Sequence, residues 1–176
     1  MQTVFTSKAF RIYYTWQEMD PDATLSGKGV IHYDAHRQAY GLHNCFAESP
    51  RRLDYLLDEA GGHAWVSEWR DGLRQCSVHR TGRRVEMHRH LTEGQERGMA
   101  CVLGQRVRII EWREVGNHDR WLWFVAENGL PLRFLTWTHH ERILILHDVT
   151  NVERDVRFVD ADFLPQPDWN CPDLSP

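Results

Sequence analysis

His63-Ala64-Trp65-Val66-Ser67-Glu68-Trp69-Arg70-Asp71-Gly72-Leu73-Arg74-Gln75-Cys76-Ser77-Val78-His79-Arg80 reads as two short strands folded back on each other. Asp71-Gly72 sits between them, and Asp-Gly is favoured where both central residues of a two-residue hairpin need positive φ. Such a turn pairs Trp65 with Val78 and Ser67 with Cys76 on one face, and Glu68 with Gln75 and Val66 with Ser77 on the other. A second turn at Thr81-Gly82 extends the ribbon, placing Val85 and Met87 on the Trp65 face and Glu86 and His88 on the Glu68 face. The Trp65 side is core-like. The Glu68 side is polar, facing solvent or a wet pocket.

The same punctuation recurs along the chain. Asn128-Gly129 looks like another two-residue hairpin turn, and the stretch from Asp20-Pro21-Asp22 to Gly27-Lys28-Gly29 separates an aromatic strand from the next. Turn residues at short spacing between β-branched and aromatic runs predict an antiparallel meander rather than βαβ units. Strands are expected over 9–16, 29–34, 37–45, 63–70, 73–80, 83–90, 105–114, 120–126, 131–138, 142–149 and 152–159. One helix is expected after Ser49, which can cap it, with Pro50 in its first turn, an apolar stripe of Leu53, Leu56 and Leu57, and a stop at Gly61-Gly62. A second short helix is a candidate over Leu91–Leu103. The fold class is mainly β (α+β), with residues 1–176 as one domain ending in an irregular tail, 165–176, that carries four prolines.

Composition narrows the function. At 176 residues one domain can bury a sizeable core, and a net charge of −4, with both signs interleaved, offers no basic face to nucleic acid. No apolar stretch of signal-peptide or membrane-spanning length is visible, so no membrane partner and a cytoplasmic location are expected. Cys45, Cys76, Cys101 and Cys171 are far apart and form no Cys-x-x-Cys, which reads as four reduced thiols. Eight Trp stand beside seven Phe and five Tyr, a surplus that lines either a core or a pocket. Several runs, around Val107–Trp112, Trp121–Val125, Leu132–Trp137 and Ile143–Leu146, are apolar on both faces. A strand of that kind must be covered on both sides, so a helix, a ligand or a second subunit is implied.

Chemistry is sparsely written. His88-Arg89-His90 and His139-His140 have two possible ligands each, yet the hairpin register sets Gln75 and Leu73 opposite His88 and His90, so neither completes a zinc site. No nucleophile elbow, phosphate loop or dinucleotide fingerprint occurs, and no cofactor is implied. What remains is polar groups among aromatics: Tyr13 and Tyr14, Glu68, and His147 on one face with Ile143, Ile145 and Val149. Burial moves such a group toward its neutral form, which is one way to tune an acid or base, or simply to seat a satisfied core residue.

The order of certain blocks carries a family resemblance. These are the first strand ending in Trp16 before Met19-Asp20-Pro21-Asp22, Tyr33-Asp34 with Arg37, Cys45-Phe46, Trp65-Val66-Ser67-Glu68, Gly104-Gln105-Arg106-Val107, Gly129-Leu130-Pro131-Leu132-Arg133, His147-Asp148-Val149-Thr150-Asn151-Val152, and Asp160-Ala161-Asp162-Phe163. In them the chain resembles the VioE-like family of violacein-biosynthesis proteins and, through it, the fold of LolA-type lipoprotein carriers. The resemblance implies a strongly curved antiparallel sheet, a half-barrel with one or two short helices, forming a homodimer. It also implies a cofactor-independent enzyme of specialised metabolism, acting on an aromatic, tryptophan-derived or similarly planar intermediate supplied by an upstream pathway enzyme. Glu68 falls at the family's important glutamate. Ile12 and Tyr14, Ala47-Glu48 and His147 stand where the family has other donors, so the scaffold carries over further than the substrate. Glu68, His147 and Tyr14 are the candidate catalytic residues; Tyr13, Trp16, Phe46, Trp112, Trp123, Phe134 and Arg133 are candidates for contact with the substrate. The alternative is a non-catalytic carrier that holds a hydrophobic small molecule on the same aromatic face.

Overall fold

The computed structural model describes residues 7–19, 25–82, 84–114, 119–138, 143–169 and 171. Eleven strands follow in chain order: β1 Ala9–Glu18, β2 Ser26–Asp34, β3 Ala39–Phe46, β4 Arg52–Asp58, β5 His63–Arg70, β6 Leu73–Arg80, β7 Gln95–Val102, β8 Gln105–Arg113, β9 Arg120–Ala126, β10 Pro131–Thr138 and β11 Ile143–Arg154. They make one antiparallel sheet in the spatial order β6-β5-β4-β3-β2-β1-β11-β10-β9-β8-β7. First and last strands therefore meet at the centre. The sheet curves without closing: β6 and β7 are its two edges, linked through a crossover that carries the helix α1, Met87–Glu93.

Alternation assigns the faces. On β1, Phe10, Ile12, Tyr14 and Trp16 point into the concave side and are buried, while Arg11, Tyr13 and Thr15 point out. The register carries this across the sheet: Ile31 and Tyr33 on β2, Tyr40 and Leu42 on β3, Tyr55 and Leu57 on β4, His147 on β11, Phe134 on β10, Trp121 and Trp123 on β9 and Ile110 on β8 share the inner face. Each buried aliphatic or aromatic side chain contributes about 2–3 kcal/mol of transfer free energy, so this layer is the main source of stability.

Two glycines let the sheet bend. Gly27 and Gly29 lie opposite Trp16 and Tyr14, and a Cβ at either would run into those rings; at Gly29 it would also strike Asn44 Oδ1. With no side chain on β2 there, the β1 rings lean across the gap toward β3. A bulge between Tyr13 and Tyr14 against β11 adds local twist on the other flank.

The crossover covers one end of the concave side. Val85 and Met87 join the cluster of Tyr33, Leu57 and Ala64, the Val85 amide donates to Glu59 Oε1, and His88 Nδ1 bonds the Tyr33 hydroxyl. His90 is buried against Trp112, Trp121 and Trp123, its ring stacked on Trp112 at 4.9 Å. On the convex side the segment after β11 runs back over β1–β6. Phe158 and Phe163 pack on Ala39, Trp169 packs on Leu56 and Trp65, and Cys171 is disulfide-bonded to Cys76.

The structure agrees with the expected antiparallel, curved, mainly β fold and corrects several of its parts. The Asp71-Gly72 hairpin forms with the anticipated register, both residues at positive φ. Residues 52–58 are β4, not a helix: Leu53, Tyr55 and Leu57 face in and Arg52, Asp54 and Leu56 face out, a period of two that overrides the local capping signal, and Ser49 Oγ accepts from the Arg51 amide in a turn instead. Residues 84–90 are not a strand, and among the described residues Thr81-Gly82 makes no hairpin; 84–86 lead into α1, where Met87 and His90 turn inward at helical spacing. The second expected helix stops at Glu93, and most of 91–103 is β7, joined to β8 by Leu103-Gly104 at positive φ. Residues 152–154 continue β11, and 155–159 leave the sheet. Asn128-Gly129 belongs to a wider turn in which the Gly129 amide donates to the Ala126 carbonyl. Cys76 and Cys171 are a disulfide, not free thiols, because the tail returns beside β6; Cys45 and Cys101 stay free and exposed. The Trp65 face is core-like only because the tail covers it, and the Glu68 face is the concave one. The Asp20-Pro21-Asp22 turn and His139-His140 lie outside the described residues.

Candidate functional site

The concave face holds a cavity of about 330 Å³ at the end that α1 leaves uncovered. Its walls come from both wings of the sheet: Ile31, Tyr40, Leu42, Asn44, Leu53, Tyr55 and Val66 on one side, Trp121, Phe134, Thr136, Thr138, Ile145 and His147 on the other, with Asp119, Arg120 and Trp137 along the margin. A volume near the lower end of small-molecule sites, lined mostly by rings and aliphatic groups with a few polar atoms, suits a flat ligand of two or three rings.

His147 is set among the rings of the cavity wall. It is 5% exposed, stacks face to face on Phe134 with centroids 4.1 Å apart, and meets the edge of Tyr14 at 4.9 Å. Its Nε2 is 3.0 Å from Thr136 Oγ1, and its Nδ1 has no hydrogen-bond partner among the described residues. Burial lowers its pKa to about 3, so the imidazole is neutral at pH 7. Tyr14 stands behind the wall, its hydroxyl donating to Asn44 Oδ1 at 2.8 Å, and burial raises the phenol well above its usual range.

The expected site residues divide by location. Phe134 and His147 line the cavity, and Tyr14 supports it. Trp123 is packed solid between Trp121 and Phe134, and Trp112 is engaged with His90. Trp16 and Phe46 meet edge to face at 5.0 Å near a separate open groove on β1–β3. Tyr13 and Arg133 point to the convex side, where they bond Glu153 and Asp148. Glu68 shares the concave face but sits toward the β5–β6 turn, where it accepts from Arg51 Nε at 2.7 Å and borders a smaller polar depression with Arg70, Asp71, Leu73 and Gln75. Sequence reasoning passed over Asn44, Tyr55, Thr136 and Thr138. The two threonines alternate with Phe134, so that signal was readable; Tyr55 was hidden by the helix assignment.

The convex side carries a second polar cluster. Asp54, almost fully buried, takes hydrogen bonds from His43 Nδ1 at 2.8 Å and from Arg52 and Arg74 at 3.2 Å. Burial alone would raise this carboxyl, but the bond and charge of His43, with the two guanidinium groups, outweigh it and hold the pKa below the usual value. Arg74 also reaches Asp168 and lies over the Trp169 ring, so the cluster fastens the returning tail. Among the described residues no three His, Cys, Asp or Glu side chains gather as a metal site.

No protein-family model matches the chain, and no curated protein matches it in sequence. Solved structures do. An uncharacterized conserved protein from Thermus thermophilus is 11% identical over 95% of this chain and 91% of its own, with a TM-score of 0.58. A LolA superfamily protein from Nitrosomonas europaea is 10% identical over 90% and 91%, TM-score 0.42. A putative outer membrane lipoprotein-sorting protein domain from Vibrio parahaemolyticus is 10% identical over 88% of each chain, TM-score 0.39. At such identities the likeness concerns the fold alone, and it is the Thermus thermophilus structure that carries it. No helix among the described residues is long and apolar enough to cross a membrane.

Proposed function

We propose that this protein binds a planar, largely apolar small molecule in the concave cavity and holds it without transforming it. The observation that carries this reading is the cavity itself: roughly 330 Å³ walled by rings and aliphatic side chains from both wings of one sheet, with its buried polar groups neutral. The catalytic alternative assigns proton transfer to Glu68, His147 and Tyr14. Against it, the Tyr14 hydroxyl is committed to Asn44, His147 stays uncharged, and Glu68 is paired with Arg51 away from the cavity wall. A proton donor and acceptor must lie within hydrogen-bond reach of one substrate, and these three are not gathered that way.

The Cys76–Cys171 disulfide favours an oxidising compartment over the cytoplasm, where thiols are kept reduced. Tryptophan fluorescence tests the binding reading, because Trp121 and Trp137 border the cavity. Planar probes quench it with micromolar affinity, and Val66→Trp, which fills the cavity from β5, weakens binding more than tenfold without loss of the folded signal. Unchanged affinity in that variant refutes the placement. Recovery of the probe chemically altered after incubation restores the catalytic reading.

A further inference from the structure

We infer that the ligand offers a hydrogen-bond acceptor, a ring carbonyl, to the side-chain amide of Asn44, which Tyr14 holds in place across Gly29. This deepens the binding reading above and rests on it. Asn44 lies on β3 in the cavity wall, paired with Gly29 of β2 on one side and Leu53 of β4 on the other. Gly29 has no side chain, and the space its Cβ would take is filled by Asn44 Oδ1 and the Tyr14 hydroxyl, which meet across the bare strand at 2.8 Å. The amide of Asn44 thus reaches past β2 to β1, and one of its two branches is fixed there.

Chemistry decides which branch. The Tyr14 hydroxyl is buried and keeps its proton, because burial raises the phenol well above its usual range. A buried O–H without an acceptor is costly, and a carboxamide accepts only through its oxygen. Oδ1 therefore takes the Tyr14 proton, and Nδ2, with two N–H donors, turns the other way. Nδ2 makes no hydrogen bond among the described residues, yet it is not shut off from solvent. That sets it apart from His147 Nδ1 and Thr138 Oγ1, which are sealed, and from Thr136 Oγ1, which is engaged with His147 Nε2. Leu42 and Leu53 close the wall on either side of this donor, so an acceptor on a flat apolar body meets rings and aliphatic groups everywhere else. The acceptor is uncharged: His147 is neutral, and Arg120, the cation among the lining residues, is exposed and lies over the Trp137 ring at 5.2 Å. A carboxylate beside Asn44 would lose hydration without gaining a counter-charge.

The test holds a planar ring body constant and varies one group: fluorene, its ketone 9-fluorenone and its N–H analogue carbazole, each equilibrated with the full chain by dialysis and quantified by chromatography. Fluorenone binds about tenfold more tightly than fluorene, although the carbonyl makes it the less hydrophobic of the two, and carbazole binds within about twofold of fluorene. Asn44→Leu brings the fluorenone-to-fluorene ratio near one while fluorene affinity stays within twofold. Tyr14→Phe lowers the ratio without abolishing it, because the amide is kept but no longer held; a tyrosine that only filled space would leave the ratio as it was. In the unaltered protein the carbonyl stretch of bound fluorenone falls below its value in hexane, and this measurement carries the test should Asn44→Leu not fold. Equal binding of fluorenone and fluorene overturns the inference, as does an unshifted carbonyl stretch. Carbazole binding tightest also overturns it, since Oδ1 would then face the ligand, and so does an Asn44→Leu ratio equal to that of the unaltered protein. If none of the three binds, the binding reading itself fails and takes this one with it.

Discussion

Reducing the Cys76–Cys171 bond should cost this protein several kcal/mol without touching the concave site. The bond closes a loop with a sequence separation of 95 residues. In the chain-entropy description, a loop of that length restrains the unfolded chain by about 4–5 kcal/mol at 25 °C. The folded state contributes a smaller, opposite-face effect: Trp169, packed on Leu56 and Trp65, and Arg74, joined to Asp168, both lose their anchor when Cys171 is released. The assay is equilibrium urea unfolding followed by tryptophan emission, with and without reductant, and with Cys76→Ser as an independent route to the open form. With a denaturant slope of about 2 kcal/mol/M, the midpoint falls by roughly 2 M in both cases. Thiol titration of the unfolded, unreduced chain finds two free cysteines, Cys45 and Cys101, against four after reduction. Probe binding on the concave side is unchanged in native buffer. Coincident unfolding curves with and without reductant, or four thiols before reduction, would refute the reasoning.

Acid lowers stability before the carboxylates titrate. His147, neutral to about pH 3 in the folded state, takes up a proton near its ordinary pKa of about 6.5 only when unfolded, so its contribution is intact above that pH and is lost at about 1.4 kcal/mol per unit below it. His90, fully buried and pushed well below 6.5 by desolvation, adds a loss of the same sign; His90→Leu flattens the decline between pH 6.5 and 4.5 in urea midpoints, and an unaltered slope refutes this. Gly29→Ala drives a methyl group into Asn44 Oδ1 and the Tyr14 hydroxyl, so it destabilises by about 1–3 kcal/mol, read from thermal unfolding; a neutral result would mean that β2 does not approach the rings as closely as described. Glu68→Gln leaves probe affinity within twofold, because its carboxylate bonds Arg51 outside the cavity wall; a tenfold change would return Glu68 to the site.

The fold was legible wherever two-residue periodicity and turn chemistry agreed. The Asp71-Gly72 hairpin came out in register because both signals point to the same pairing. They disagreed at 49–61, where a capping serine, a proline and three leucines imitate a helix; the strand wins because Leu53, Tyr55 and Leu57 complete the inner layer between β3 and β5, a long-range gain that no local window contains. The β7 strand was obscured by its edge position, since an exposed edge has only one half-buried face to display. Of the site, Phe134 and His147 were readable from the apolar run around them. Tyr13 and Arg133, candidates for substrate contact, lie on the convex side, as alternation from Tyr14 and Phe134 requires. The disulfide lay beyond reach because 95 residues of chain separate its halves and only the returning tail brings them together.

Met87 and His90 of the helical crossover are wedged among the rings, and no residue of that helix is among those that line the hollow. Under the proposed binding reading, a ligand there meets strand residues from both wings of the sheet and leaves the helix untouched.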